Sequence, residues 1–259
     1  MDRMNQTRDI EDNYRSNNDS LNAKYEKPKS FIQAVSEIQH FYVMEKDSEE
    51  PIDKNFFALN QVLDFIKIGF RSGFIESFFF VIIFPFLQTI YPSFSYYFLH
   101  KEFTEIELFI FKYVSYIPLI LITLYLIHLA KFNTLVITKK ATLSLISGRS
   151  IAFLLKGIIV YSIFIMLSDY VLHNKEEVYN SIESIKGIFD HILPIEYTYK
   201  NEDLYIYFYK FIQPAINYTA VEVLISMIIF SLVPLVVILM RGWISDYKKI
   251  KSQILYEEY

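Results

Sequence analysis

Apolar residues arrive along this chain in four long runs, over 74–92, 108–129, 151–172 and 219–240, and polar and charged residues return between them. A run of about 20 such residues, rising 1.5 Å per residue as a helix, matches a hydrocarbon core of roughly 30 Å. No water reaches the backbone there, so each spanning segment must pair its amides internally, as a helix or a closed barrel does. The pattern predicts an all-α integral membrane protein with four transmembrane helices.

Shorter periodic patterns lie outside the runs. Phe31, Val35, Ile38 and Tyr42 recur at helical steps, and Phe56, Leu59, Leu63, Ile66 and Phe70 do so after Pro51 and Asp53, which reads as a helix start. Residues 31–72 are therefore expected to form amphipathic helices, the second able to run on into the first span. They either dock a partner or headgroups, or pack beneath the transmembrane bundle. Val178, Ile182, Ile185, Phe189 and Ile192 make a further stripe, with Glu176, Glu177, Glu183, Lys186 and Asp190 largely outside it. A short helix ending near Pro194 is expected there, within a loop over 173–217. The aromatic run at 204–212 is too short to span and reads as a segment at the membrane–water boundary, a re-entrant segment being the alternative. Residues 1–30 are polar, so a disordered tail is expected, with no cleavable leader and with insertion led by the first span. Residues 242–259 read as a second tail.

Composition agrees with the spans: 53% of residues are hydrophobic and 24 are Phe and 21 Tyr, against 6 Gly. The absence of cysteine excludes disulfides, thiolate metal sites, Fe–S clusters and cysteine nucleophiles. With 25 basic against 29 acidic residues the chain is net negative, and no nucleic-acid partner is expected. The position of the charges matters more than their sum. The connection 130–150 carries Lys131, Lys139, Lys140 and Arg149 with no acid, whereas 93–107 has Lys101 against Glu102, Glu105 and Glu107. Basic flanks stay in the cytoplasm. Lys54, Lys67 and Arg71 before the first run, and Arg241, Lys248, Lys249 and Lys251 after the last, agree, and loop 173–217 holds more acids than lysines. Both termini are expected inside, in a plasma or inner membrane, with 93–107 and 173–217 outside.

Ionisable residues inside the runs are the candidate chemistry, because a charge at the bilayer centre costs several kcal/mol or more. Glu76 and Lys156 fall toward the cytoplasmic ends, near His128, and Lys112, Asp169 and Glu222 toward the other. One reading is a polar pathway or proton-coupled site; the other is snorkelling with ion pairs that fix helix register. The central thirds hold no ionisable residue, Ser162 and Thr123 being their clearest polar side chains, and this favours the second reading. Pro85, Pro118 and Pro234 predict kinks. Gly157 is the sole glycine inside a predicted span, so contacts are expected to rest on Phe, Ile and Leu, with Ser115, Ser162, Ser226 and Ser231 as small or hydrogen-bonding positions.

Enzyme signatures are missing: no HExxH, no GxSxG, no phosphate-cradling glycine loop and no histidine pair within one span. No catalytic residue, metal or cofactor is expected. The reading that follows is a non-catalytic scaffold, assembly or accessory subunit of a membrane complex, contacting lipid and either protein partners or further copies of itself. A small oligomeric channel or transporter using the charges near the span ends is the alternative, and a membrane enzyme or immunity-type protein the third.

Overall fold

The computed structural model describes residues 27–48, 57–98, 101–192 and 201–257, so most of the tail expected over 1–30 lies outside the described residues. Among the described residues there are helices and no strand. In chain order these are α1 (Phe31–Asp47), α2 (Leu59–Pro85), a π turn (Phe86–Ile90), α3 (Tyr91–Phe98), α4 (Glu105–Val114) and α5 (Ile117–His128). A 3-10 turn (Leu129–Phe132) follows, then α6 (Val136–His173), α7 (Lys175–Ile192), α8 (Asn201–Tyr207), a second π turn (Phe208–Ile212) and α9 (Gln213–Glu257).

Three helical segments are long and apolar enough to cross a membrane, within Glu105–Phe132, Val136–His173 and Glu202–Ile254, rather than the four expected. The expected first span, 74–92, is divided: α2 stops at Pro85 and a π turn precedes α3. Proline has no N–H and crowds the carbonyl four residues back, and a wider turn is one way a helix absorbs this. The side chains at 79, 82–86 and 89 in that stretch lie outside the described set.

Several connections expected as loops are helical. Between α5 and α6 only residues 129–135 intervene, so Lys139, Lys140 and Arg149 belong to α6, and Arg149 is fully buried rather than a loop cation. The run at 204–212 leads through a π turn directly into α9, with Tyr207 buried. The tail expected after residue 241 is helix to Glu257. At Pro118 the helical segment 105–132 is interrupted: α4 ends at Val114, the residue whose carbonyl Pro118 has no N–H to meet, and a turn at Ser115 and Tyr116 precedes α5. Pro234 lies inside α9, which continues past it.

The chain divides into two compact units, one of residues 1–73, 123–152 and 232–259, the other of 74–122 and 153–231. In the first, Ser30 starts α1 by accepting from the Gln33 N–H at 3.2 Å, a serine cap with glutamine three residues on. The helix buries Ala34, Val35, Ile38 and Phe41, a face rotated from the predicted stripe, since Phe31 and Tyr42 stay half-buried. Phe41, Phe57 and Phe65 stack edge to face at 6.0 and 5.3 Å, and Tyr42 meets Phe132 at 5.3 Å. Glu45 then caps a different helix: its carboxylate accepts from the N–H of Ile137 at 3.1 Å and of Thr138 at 3.2 Å, at the amino end of α6. A negative side chain there satisfies orphan donors and complements the helix dipole. Glu45→Ala is expected to cost about 1–2 kcal/mol, read as a lowered Tm in detergent, with Glu45→Gln intermediate.

α2 meets α6 backbone to backbone in the same unit. A Cβ added at Gly69 would lie 2.0 Å from the Leu145 carbonyl oxygen, and one at Gly148 would lie 2.1 Å from that of Ile66. At Gly73 it would fall 2.8 Å from the Arg149 carbonyl oxygen. The helices pack this closely because Gly69 and Gly73, four residues apart, put no side chain on the face α6 crosses. The expected reliance on Phe, Ile and Leu concerned the predicted spans; this glycine crossing lies just ahead of the first and third of them. The helix turns its glycine face and Phe65 inward and leaves Leu59 and Leu63 of the predicted stripe exposed.

The second unit gathers Phe80, Leu119, Phe153, Val160, Val223 and Met227 into one core. Gly157 lies against Met227, whose Cβ would be 3.1 Å from an added methyl. α7 occupies the position expected of the loop helix, and its Tyr179 meets Tyr205 of α8 at 5.6 Å.

Candidate functional site

Two of the five candidate charges come together in the second unit. α4 begins with a reciprocal cap, Thr104 to the Glu107 N–H and Glu107 back to the Thr104 N–H, and this fixes the phase of the helix that carries Lys112. At its far end the chain makes one turn before α5, so Lys112, Ser115 and Tyr116 face α9 and the first π turn. Tyr116 donates its hydroxyl to the Glu222 carboxylate at 2.7 Å, and Ser226, one turn along α9, donates to the Tyr116 oxygen at 3.5 Å. Lys112 donates to the Tyr218 hydroxyl at 3.3 Å, one turn before Glu222. Gln88, in the π turn, closes the group by donating to the Lys112 carbonyl at 3.0 Å and the Ser115 hydroxyl at 2.7 Å. The Ser115 hydroxyl donates in turn to the Lys112 carbonyl at 2.7 Å. The turn between α4 and α5 leaves carbonyls without helical partners, and the Gln88 amide and Ser115 hydroxyl supply donors for one of them.

The other candidates lie apart from this cluster. Lys156 of α6 is buried, donates to the Phe74 carbonyl at 2.5 Å, and sits over the Phe74 and Phe78 rings at 3.8 and 5.2 Å. The Ser77 hydroxyl donates to the same carbonyl at 3.1 Å. An ammonium held by a carbonyl and two ring faces is solvated by dipoles and quadrupoles where water is excluded. Asp169 is exposed and pairs with His173 of its own helix at 3.4 Å, reaching no other element by that contact. Glu76 is half-buried on α2.

Chemically, the cluster holds one carboxylate, one ammonium and two phenols between helices, with neither a nucleophile–base pair nor a converging acid pair. Among the described residues no group of three His, Asp or Glu side chains could hold a metal ion. An open depression of about 400 Å³ in this unit is lined by Pro92, Tyr96, Glu102, Phe103 and Phe211 among others, and none of the cluster residues lines it. Tyr116, Tyr218 and Gln88 were not singled out from the sequence. Tyr218 and Ser226 each stand one turn from Glu222, a signal that spacing alone could have offered. Gln88 depends on the π turn, which spacing does not show.

The chain matches no family model, and no curated protein or solved structure is significantly similar to it.

If the cluster fixes helix register, Tyr116→Phe should cost about 1–3 kcal/mol, since it leaves a half-buried carboxylate short of a donor. Glu222→Gln, which still accepts from Tyr116, should cost less. Thermal unfolding of both variants in one detergent checks the order.

Proposed function

We propose that this chain is a non-catalytic multi-pass membrane protein, a scaffold or accessory subunit of a membrane complex, with four spans and both termini on the cytoplasmic side. The observation that carries this reading is bare apolar surface. Within the three candidate spans only 22, 28 and 33% of the most apolar stretch is buried by the chain itself. A water-soluble helical core buries far more of its leucine, isoleucine and phenylalanine, so this surface needs lipid and neighbouring helices as its solvent. The fourth span is supported by the apolar run 74–92, which the end of α2, the π turn and the start of α3 carry as consecutive helical turns. A holding role is supported by the charges, since Glu222, Lys112 and Lys156 each engage another element and none lines the depression described above.

A conducting or transporting oligomer is the second reading, favoured by the Tyr116–Glu222–Ser226 chain of hydroxyls and carboxylate between helices. The two part experimentally. Reconstituted into vesicles, the protein should pass no more protons or cations than empty vesicles do. From mild-detergent or nanodisc purification it should emerge, by native mass spectrometry, in a defined complex. Flux that Glu222→Gln abolishes while the variant stays folded would sink the scaffold reading.

A further inference from the structure

The carboxyl-terminal half of α9 has two faces, and the first unit uses one of them. Ile238 is fully buried, and a Cβ at Gly242 would lie 2.5 Å from the Asn133 amide nitrogen. Asp246 is ion-paired with Lys139, and Lys249 donates to the Thr134 carbonyl at 3.0 Å. On the other face Val236, Met240, Trp243, Tyr247, Ile250 and Ile254 are bare, each between 47 and 71% exposed. Their steps alternate between four and three residues, the repeat of a coiled-coil seam, with Met240, Tyr247 and Ile254 at a positions and Val236, Trp243 and Ile250 at d. The seam also outruns a bilayer: from Met240, the end of the proposed last span, α9 rises about 21 Å to Ile254. The inference rests on the membrane reading proposed above.

We propose that this seam docks a second copy of the chain, as a parallel two-stranded coiled coil over residues 236–254. Charge selects the occupant. In a parallel pair, each g position faces the e position five residues further along the partner. Asp246 is at g and Lys251 at e, so two copies place Asp246 opposite Lys251 twice, once on each side of the seam. Asp246 keeps 49% of its side chain exposed while it holds Lys139, which leaves it open to a second cation. The preceding g and e positions are Leu239 and Ile244, 49 and 44% exposed, and they match apolar to apolar. An antiparallel pair would instead set g against g, bringing aspartate to aspartate. Two copies inserted in one membrane with the same orientation present α9 in parallel, the arrangement this pattern favours. An anionic lipid surface, drawn to Lys248 and Lys251, is the competing occupant, but it leaves Ile250 and Ile254 covered only if the helix bends onto it.

The chain contains no cysteine, so single cysteines report contacts directly. Full-length Ile250→Cys and Ile254→Cys proteins, mildly oxidised in membranes, should form disulfide-linked dimers at least tenfold more than Ser252→Cys, which lies off the seam. Adding Lys251→Glu to Ile250→Cys sets like charges across the seam and should cut that yield at least threefold, whereas Lys251→Arg should preserve it. Equal cross-linking at 252, or none at either 250 or 254, would overturn the proposal. So would quenching by brominated lipid of a fluorophore at 250 in a chain that does not cross-link, which would put the face on the bilayer. Alkaline carbonate extraction separates the two failures: a chain that washes off membranes refutes the membrane reading, while one that stays and does not cross-link refutes only the seam.

Discussion

Gly69→Ala and Gly148→Ala are each expected to cost at least about 3 kcal/mol, more than a hundredfold in the folding equilibrium, and the corresponding leucine variants should yield no folded protein. The added methyl at either site falls about 2 Å from a carbonyl oxygen of the facing helix. A backbone carbonyl cannot swing aside as a side-chain tip can, so α2 and α6 must separate along the whole crossing and lose the contacts around it. Gly187 is the internal control. It lies in α7, its added Cβ would meet nothing within 4 Å, and alanine there should stabilise by up to about 1 kcal/mol through helix propensity alone. Fluorescence-detected size exclusion after a temperature ramp would rank the variants, and a Gly69→Ala protein as heat-resistant as the parent would refute the close crossing.

Arg149→Ala should be comparably damaging, by about 3–5 kcal/mol. The arginine is fully buried in the first unit, and its Cγ packs where Gly73 leaves room, 3.0 Å from the position of an absent Cβ. Truncation would remove both the packed methylene stem and the guanidinium with its polar contacts. Arg149→Met keeps most of the stem and removes the charge, so the difference between the two variants, read as Tm, separates packing from electrostatics. Equal Tm for Arg149→Ala and the parent would show that the burial carries no weight.

The helices were legible in the sequence because their signals are local. Apolar length marked the segments now within Glu105–Phe132, Val136–His173 and Glu202–Ile254, and the Val178–Ile192 stripe marked α7. What was misread depends on which face meets a neighbour. Apolar periodicity marks Leu59 and Leu63 as one face of α2 without saying whether it docks outward or packs inward, because in a chain with so much bare apolar surface hydrophobicity does not distinguish a facing helix from other apolar surroundings. Small residues do, and Gly69 and Gly73 stand four apart just ahead of the predicted first span, outside the stretch that apolar length marks. Arg149 reads as one more basic flank residue, and a charge count does not show that α6 carries it into the interior. Lys112 and Glu222 were legible as opposite charges at one end of the spans, but Tyr116 and Gln88, which join their surroundings into a network, answer to a turn and a π segment that no periodicity encodes.

The short link between α5 and α6 has a consequence for how the protein is made. Asn133 in that link is fully buried because its amide donates to the Ile238 carbonyl at 2.6 Å, a partner 105 residues further along the chain. At about 5–20 residues per second, the hairpin leaves the ribosome on the order of 5–20 s before that partner exists. During that interval its polar tip is open to proteases and chaperones, and it closes only when α9 arrives. Nascent or shortened chains ending before Ile238 should therefore be cleared by cellular quality control faster than the full-length protein, even with every earlier helix in place.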